Sequence, residues 1–153
     1  MSDFQFTEVQ SSAIQLIEAF VKERSSTIYR CANVQGEVQK ISIQLPRQSG
    51  TTTIAQELAH RYGCLVICAN KTEQDNFIGT YSLRYSLGYS FAVSIFDLRP
   101  GLALRYPEQF KHVSEALSKS PVIIMDGFRS YSENQTVKIL FKEFSNHIFV
   151  LLH

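Results

Sequence analysis

The chain alternates between short apolar runs and longer segments in which apolar residues recur at helical spacing. Apolar runs of this length, bounded by turn-forming residues, predict β-strands. The run at 64–69, Cys-Leu-Val-Ile-Cys-Ala, contains no charged residue, which is typical of a strand buried on both faces. The predicted strands cover 41–45, 64–69, 91–98, 121–125 and 147–152.

Amphipathic segments lie between these runs and predict helices. The first covers 7–22, where Thr7 and Gln10 have the spacing of a capping box. A second helix follows the strand at 41–45 and ends at Gly63, because glycine readily closes a helix. The remaining predicted helices are a short polar one that starts at Thr72, one over 107–119 and one that starts at Ser132; the polar stretch 27–40 is predicted as a hairpin around Gly36.

Strands that alternate with amphipathic helices predict an α/β fold. The expected architecture is a mainly parallel sheet with helices on both faces, in one domain that covers 1–153. Right-handed crossovers place the carboxyl ends of parallel strands along one edge of the sheet, and ligands of such sheets bind there.

Composition adds few constraints on function. The 153 residues are 44% hydrophobic with a formal net charge of +1, so the chain can form a core, and its charge does not indicate nucleic acid as a partner. A polar beginning and the lack of a long apolar stretch predict a cytoplasmic protein outside the membrane. His60, Cys64 and Cys68 are spaced by four, but zinc is disfavoured because no second ligand pair follows.

The segment 41–60, ISIQLPRQSGTTTIAQELAH, combines a strand, a tight turn and a helix. Such a turn points backbone N–H groups and the positive end of a helix dipole at one place, which favours a phosphate group. The arrangement has the form of the phosphate-binding loop G-x-x-x-x-G-K-[ST]. Gly50 stands at its second glycine and Thr52 at its magnesium-binding hydroxyl, whereas Leu45 replaces the first glycine and Thr51 the lysine.

The loop resembles the R-Q-x-G-K-T-T loop of phage large terminase ATPases, the motors that package DNA and share their core with helicase-type ATPases. The resemblance extends to the helix that carries Gln10 and to the run 122–126, which looks like a Walker B strand ending at Asp126. It implies ATP with Mg²⁺ as the ligand. It further implies that Thr52 and Asp126 hold the metal, that Gln10 recognises adenine, and that the phosphates lie on Arg47, Gln48, Ser49, Gly50, Thr51, Thr52 and Thr53.

Two departures limit the activity that this resemblance implies. Thr51 cannot supply the cation of the missing lysine, and Gly127 stands where a water-activating glutamate follows the Walker B aspartate. We therefore expect a degenerate P-loop NTPase-like domain that binds ATP without efficient hydrolysis. Its setting would be a DNA-related process of a phage or mobile element, in the host cytoplasm if phage-encoded.

Two other function classes stay open. In the first, the domain is a protein-interaction or regulatory module on a vestigial ATPase fold, with Tyr81, Tyr85 and Tyr89 as an exposed contact patch. In the second, an oligomer or a protein partner completes an active ATPase in trans, and Arg47 acts on the nucleotide of a neighbour. The site residues also have purely structural interpretations, in which Gly50 allows a tight turn, the threonines and Gln10 cap helices, and Asp126 pairs with Arg129.

Overall fold

The computed structural model describes residues 5–31, 39–46, 50–98, 107–128, 138, 141–142, 144 and 146–153, without the side chains of 26–31 and 107–110. Helices and strands alternate along most of this part of the chain. The helices are α1 (Glu8–Cys31), α2 (Thr51–Tyr62), α3 (Lys71–Tyr85) and α4 (Pro107–Lys119), and a 3₁₀ turn covers Ile95–Leu98. The strands are β1 (Gln39–Ile43), β2 (Leu65–Cys68), β3 (Ala92–Ser94), β4 (Val122–Asp126) and β5 (Ile148–Leu152).

The five strands form one parallel sheet in the order β1-β5-β4-β2-β3. The predicted α/β class with a mainly parallel sheet is therefore confirmed. Because β5 lies between β1 and β4, helix α2 must cross over β5 and β4 to connect β1 with β2. This crossover brings the first turn of α2 towards the carboxyl end of β4, where Asp126 lies.

Successive residues of the central strands contribute to two separate apolar clusters, because side chains of a strand alternate between its faces. Val66, Ile124 and Val150 pack with α1, α2 and α3 on one face. Ile67 and Ile123 pack with Val113 of α4 on the other face. Helices therefore cover both faces of the sheet, as the sequence predicts, and β2, β4 and β5 are buried throughout.

The first helix is much longer than predicted. The capping box at its start is present: the Thr7 N–H donates to Oε1 of Gln10 at 3.0 Å, and the Gln10 N–H donates to Oγ1 of Thr7 at 3.1 Å. The helix continues to Cys31, so the predicted hairpin over 27–40 is wrong for residues 27–31. Residues 32–38 lie outside the described part of the chain, and β1 already begins at Gln39.

The other boundaries agree more closely with the sequence pattern. Helix α2 ends at Gly63, which has φ 58° and donates its N–H to the Ala59 carbonyl at 2.8 Å. The predicted strand 91–98 is only half correct, because β3 gives way to the 3₁₀ turn after Ser94. Most of the helix predicted from Ser132 lies outside the described residues. Within the described part, no helix is long and apolar enough to cross a membrane.

The three tyrosines predicted as an exposed patch belong to the core. Tyr81 is 4% exposed and Tyr89 is 9% exposed, and both contact the buried ring of Phe77. Tyr85 stacks on His60 with the ring centroids 4.4 Å apart, and its hydroxyl donates to Glu57 at 2.6 Å. Tyr81 and Tyr85 mark the face of α3 that packs on α2, and Tyr89 follows the end of this helix. The predicted protein-contact patch is therefore wrong.

Candidate functional site

The helix α2 begins with an open N-terminus at the carboxyl edge of the sheet. Its N-cap residue is Gly50, in the left-handed region at φ 76° and ψ 53°, and no described side chain caps the helix. Helix α3 starts at the same edge but is closed differently: its N-cap Asn70 accepts a hydrogen bond of 2.9 Å from the Glu73 N–H. An uncapped N-terminus leaves N–H groups for an anion, so α2 has the feature that a phosphate site requires.

The second residue of α2 contacts the end of β4. The Thr52 hydroxyl donates a hydrogen bond of 2.9 Å to Oδ2 of Asp126. The structure therefore brings together the two residues that the family resemblance assigns to magnesium. In phosphate-loop NTPases a Ser/Thr hydroxyl and an aspartate of this kind hold the metal.

Asp126 is a strongly buried carboxylate. Its side chain is 3% exposed, and Oδ1 has no hydrogen-bond partner among the described residues. Burial raises the pKa of this carboxyl group from 3.8 to about 6, and the charge of Glu73 acts in the same direction. Hydrogen bonds from the Thr52 and Thr51 hydroxyls oppose that rise. A buried acceptor without a partner is costly, and a bound cation would remove that cost.

A second carboxylate, on Glu73 of α3, lies against the residue that follows Asp126. Gly127 has φ 85°, and a Cβ atom built there would lie 3.6 Å from Cγ and 3.7 Å from Oε2 of Glu73. Burial raises the pKa of Cys68, whose backbone pairs with Asp126 between β2 and β4, and the charges of Asp126 and Glu73 raise it further. Sequence analysis missed Glu73, because its place depends on the pairing of these two strands.

Gln10 has a structural function in this region. Its side chain is 6% exposed, and Oε1 accepts the capping hydrogen bond from Thr7. Its Nε2 lies 2.5 Å from the position that a Cβ atom on Gly50 would occupy. The structure thus shows the capping interpretation, and packing of Gln10 against the loop glycine. Recognition of adenine by Gln10 stays a prediction.

The remaining predicted loop residues divide into two groups. Arg47, Gln48 and Ser49 lie outside the described residues, as does Arg129, the alternative partner of Asp126. Thr51 and Thr53 occupy the first turn of α2, where Oγ1 of Thr53 lies 3.5 Å from the Cβ position of Gly50. Neither threonine can supply the positive charge of the lysine that the resemblance calls for.

The donor groups at this edge suit magnesium bound together with a phosphate. Across the described residues, no three His, Cys, Asp or Glu side chains form a metal-binding group. Magnesium prefers oxygen ligands and is usually held by one or two carboxylates, while water and substrate phosphates complete its shell. The unpartnered Oδ1 of Asp126 and the Thr52 hydroxyl provide oxygen atoms of this kind. The residues present therefore fit a magnesium ion bound together with a phosphate group.

No protein-family model, curated protein sequence or solved structure matches this chain.

Proposed function

We propose that this domain binds a nucleoside triphosphate with Mg²⁺ at the N-terminus of α2, and hydrolyses it poorly. The observation that carries the proposal is the 2.9 Å hydrogen bond from Thr52 to Asp126, beside an uncapped helix start. Thr52 and the unpartnered Oδ1 of Asp126 would hold the metal. Bound there, magnesium would neutralise phosphate charge, and the N–H groups of the first helical turn would bind the phosphate oxygens.

Poor hydrolysis follows from the residues next to the proposed metal ligands. Phosphoryl transfer depends on positioning and on charges that stabilise the transition state. Thr51 brings a neutral hydroxyl where the resembling loop has a cation, and Gly127 brings no side chain after Asp126. A domain of this kind would act through the difference between its nucleotide-bound and free states. On the resemblance of the loop to terminases, we propose that this role belongs to DNA handling by a phage or mobile element.

The interaction-module alternative now needs a different surface, because the tyrosines are in the core. An apolar groove of about 430 Å³ lies between α1 and the edge strand β1. Val9 and Leu16 line it and are 48% and 56% exposed. Exposed apolar side chains beside an edge strand suit a protein contact. This groove is the specific observation that supports the second candidate function.

Isothermal titration calorimetry tests the proposed nucleotide site directly. ATP with Mg²⁺ is titrated into the wild type and into Thr52→Val, which replaces the hydroxyl by a methyl group of similar size. Thr72→Val is the matched control, because Thr72 is the second residue of α3 as Thr52 is of α2, and it is exposed. We expect Thr52→Val to weaken binding at least tenfold and Thr72→Val to leave it unchanged. Equal affinity of all three proteins would contradict the proposal.

A further inference from the structure

Two carboxylates lie near the carboxyl end of β4, and the described residues show no cation paired with either. Asp126 is 3% exposed with its Oδ1 unpartnered. The carboxylate of Glu73 lies against Gly127, and its described hydrogen bond is made by its backbone N–H to Asn70. The nearest basic residue along α3, Lys71, contacts Asp75 at 3.4 Å.

Like charges held close together destabilise a fold unless a cation lies between them. Glu73 lies close to the end of β4, because Oε2 of its carboxylate is 3.7 Å from the Cβ position of Gly127, the residue that follows Asp126. Carboxylates and a hydroxyl are hard oxygen ligands, which select Mg²⁺ or Mn²⁺ rather than softer metals. The oxygen atoms of these side chains are therefore suited to a divalent cation.

We propose that Glu73 and Asp126 bind a divalent cation of the Mg²⁺ class in the absence of nucleotide, with the Thr52 hydroxyl beside it. This inference rests on the proposed function only in using the same site. It adds Glu73 as a ligand, and it states that the cation binds before the nucleotide. Gly127 is part of the arrangement, because a side chain at this position would be directed at the Glu73 carboxylate. The cation is then in place when the phosphates arrive.

The test uses Mn²⁺ alone, titrated into the full chain without nucleotide and followed by calorimetry and by the loss of the free Mn²⁺ EPR signal. We expect measurable binding by the wild type and affinity at least about tenfold weaker in Glu73→Gln, since even outer-shell partners of a metal are worth 10–100-fold. Asp75→Asn is the matched control: it removes one negative charge from an exposed position of the same helix. Its Mn²⁺ affinity should equal that of the wild type.

A purely structural role for Glu73 is distinguished by the stability of the metal-free protein. Removing a like charge beside Asp126 should leave the metal-free Glu73→Gln at least as stable as the wild type while Mn²⁺ binding is lost. Glu73→Asp, which keeps the charge on a shorter side chain, should also bind Mn²⁺ more weakly and provides a second variant if Glu73→Gln does not fold.

Two results would overturn the Mn²⁺ proposal: no Mn²⁺ binding by the nucleotide-free wild type, or equal Mn²⁺ affinity in the wild type and both Glu73 variants. Magnesium-dependent ATP binding by the wild type is measured separately. If ATP binds but Mn²⁺ alone does not, the proposed function stands and the inference about Glu73 fails.

Discussion

Thr52 and Asp126 are 74 positions apart in the chain, yet the hydroxyl of one donates a 2.9 Å hydrogen bond to the carboxylate of the other. The strand order explains this contact. Since α2 links β1 to β2, which lie at different places in the order β1-β5-β4-β2-β3, its first turn reaches the end of β4. The topology thereby brings the start of α2 and the end of β4 together into one polar site.

Asp126 should make the ligand-free fold less stable as the pH rises. Its folded-state pKa is raised from 3.8 to about 6, so the protonated carboxyl group is favoured in the fold, and stability is lost as pH rises through this window. At 1.36 kcal/mol per pKa unit, the loss is about 2–3 kcal/mol. Asp126→Asn should therefore be more stable than the wild type at pH 7.5, and by a smaller margin at pH 4.

Urea unfolding at both pH values measures this difference, and comparing the two proteins cancels the titration of other groups. The charged and titratable groups that act on Asp126 are Glu73 and, across the β2–β4 pairing, Cys68. An Asp126→Asn variant that is less stable than the wild type at pH 7.5 would contradict this prediction. It would show that the ionised carboxylate stabilises the fold without a bound cation.

Gly50→Ala should destabilise the domain. Its φ of 76° is unfavourable for any residue with a Cβ atom, which costs about 1–2 kcal/mol, and the new Cβ would meet Nε2 of Gln10 at 2.5 Å. Gly79→Ala is the control, because Gly79 is an exposed position inside α3 with open space around it. That variant should gain about 0.5–1 kcal/mol from helix propensity. Chemical denaturation of both variants checks the contrast, and equal effects would contradict it.

Tyr81→Ala should unfold the domain more easily rather than remove a binding surface. Tyr81 is 4% exposed between Phe77, Tyr85 and Tyr89, and truncating a buried aromatic ring costs about 3–5 kcal/mol. Leu83→Ala on the same helix should change stability by less than about 0.5 kcal/mol, because Leu83 is 85% exposed. Thermal or urea unfolding decides between these outcomes. A small change in stability of the Tyr81 variant would indicate that this side chain is exposed, and would contradict its place in the core.

The thiols of Cys64 and Cys68 should not react in the native protein. Both side chains are buried, and burial raises the pKa of each thiol to about 12, so neither forms the reactive thiolate near neutral pH. Brief iodoacetamide treatment followed by peptide mass spectrometry should find both unlabelled without denaturant and labelled in urea. Rapid labelling of the folded chain would show that β2 is more accessible than this fold allows.

Local patterns were sufficient for most elements of the fold. The apolar run that contains Val66 predicted a buried central strand, and Gly63 correctly marked the end of α2. The capping box predicted the start of α1, but its end was misplaced at residue 22, because the polar stretch 27–40 was predicted as a hairpin although the helix continues to Cys31. Helix length in such a case depends on tertiary contacts rather than propensity.

The candidate site could be predicted only in part, because some of its residues are brought together by tertiary structure. The resemblance of the loop and of the strand ending in aspartate to a P-loop ATPase implied that Thr52 and Asp126 lie at one metal site, and the two residues are in contact. The position of Glu73 depends on strand order, which spacing along the chain does not encode. Spacing likewise placed the three tyrosines on one side of a helix or strand, but it could not show whether that side faces the solvent or the core.

The central claim is that the N-terminus of α2 binds a nucleotide with magnesium, and a thermal-melt series tests it most directly. ATP, GTP and ADP are each added with and without Mg²⁺. A ligand at about 100 times its dissociation constant stabilises the fold by about 2.7 kcal/mol, which should raise the melting temperature by about 5–10 °C in a domain of this size. A shift that requires Mg²⁺ is the predicted result; no shift with any nucleotide would contradict the account.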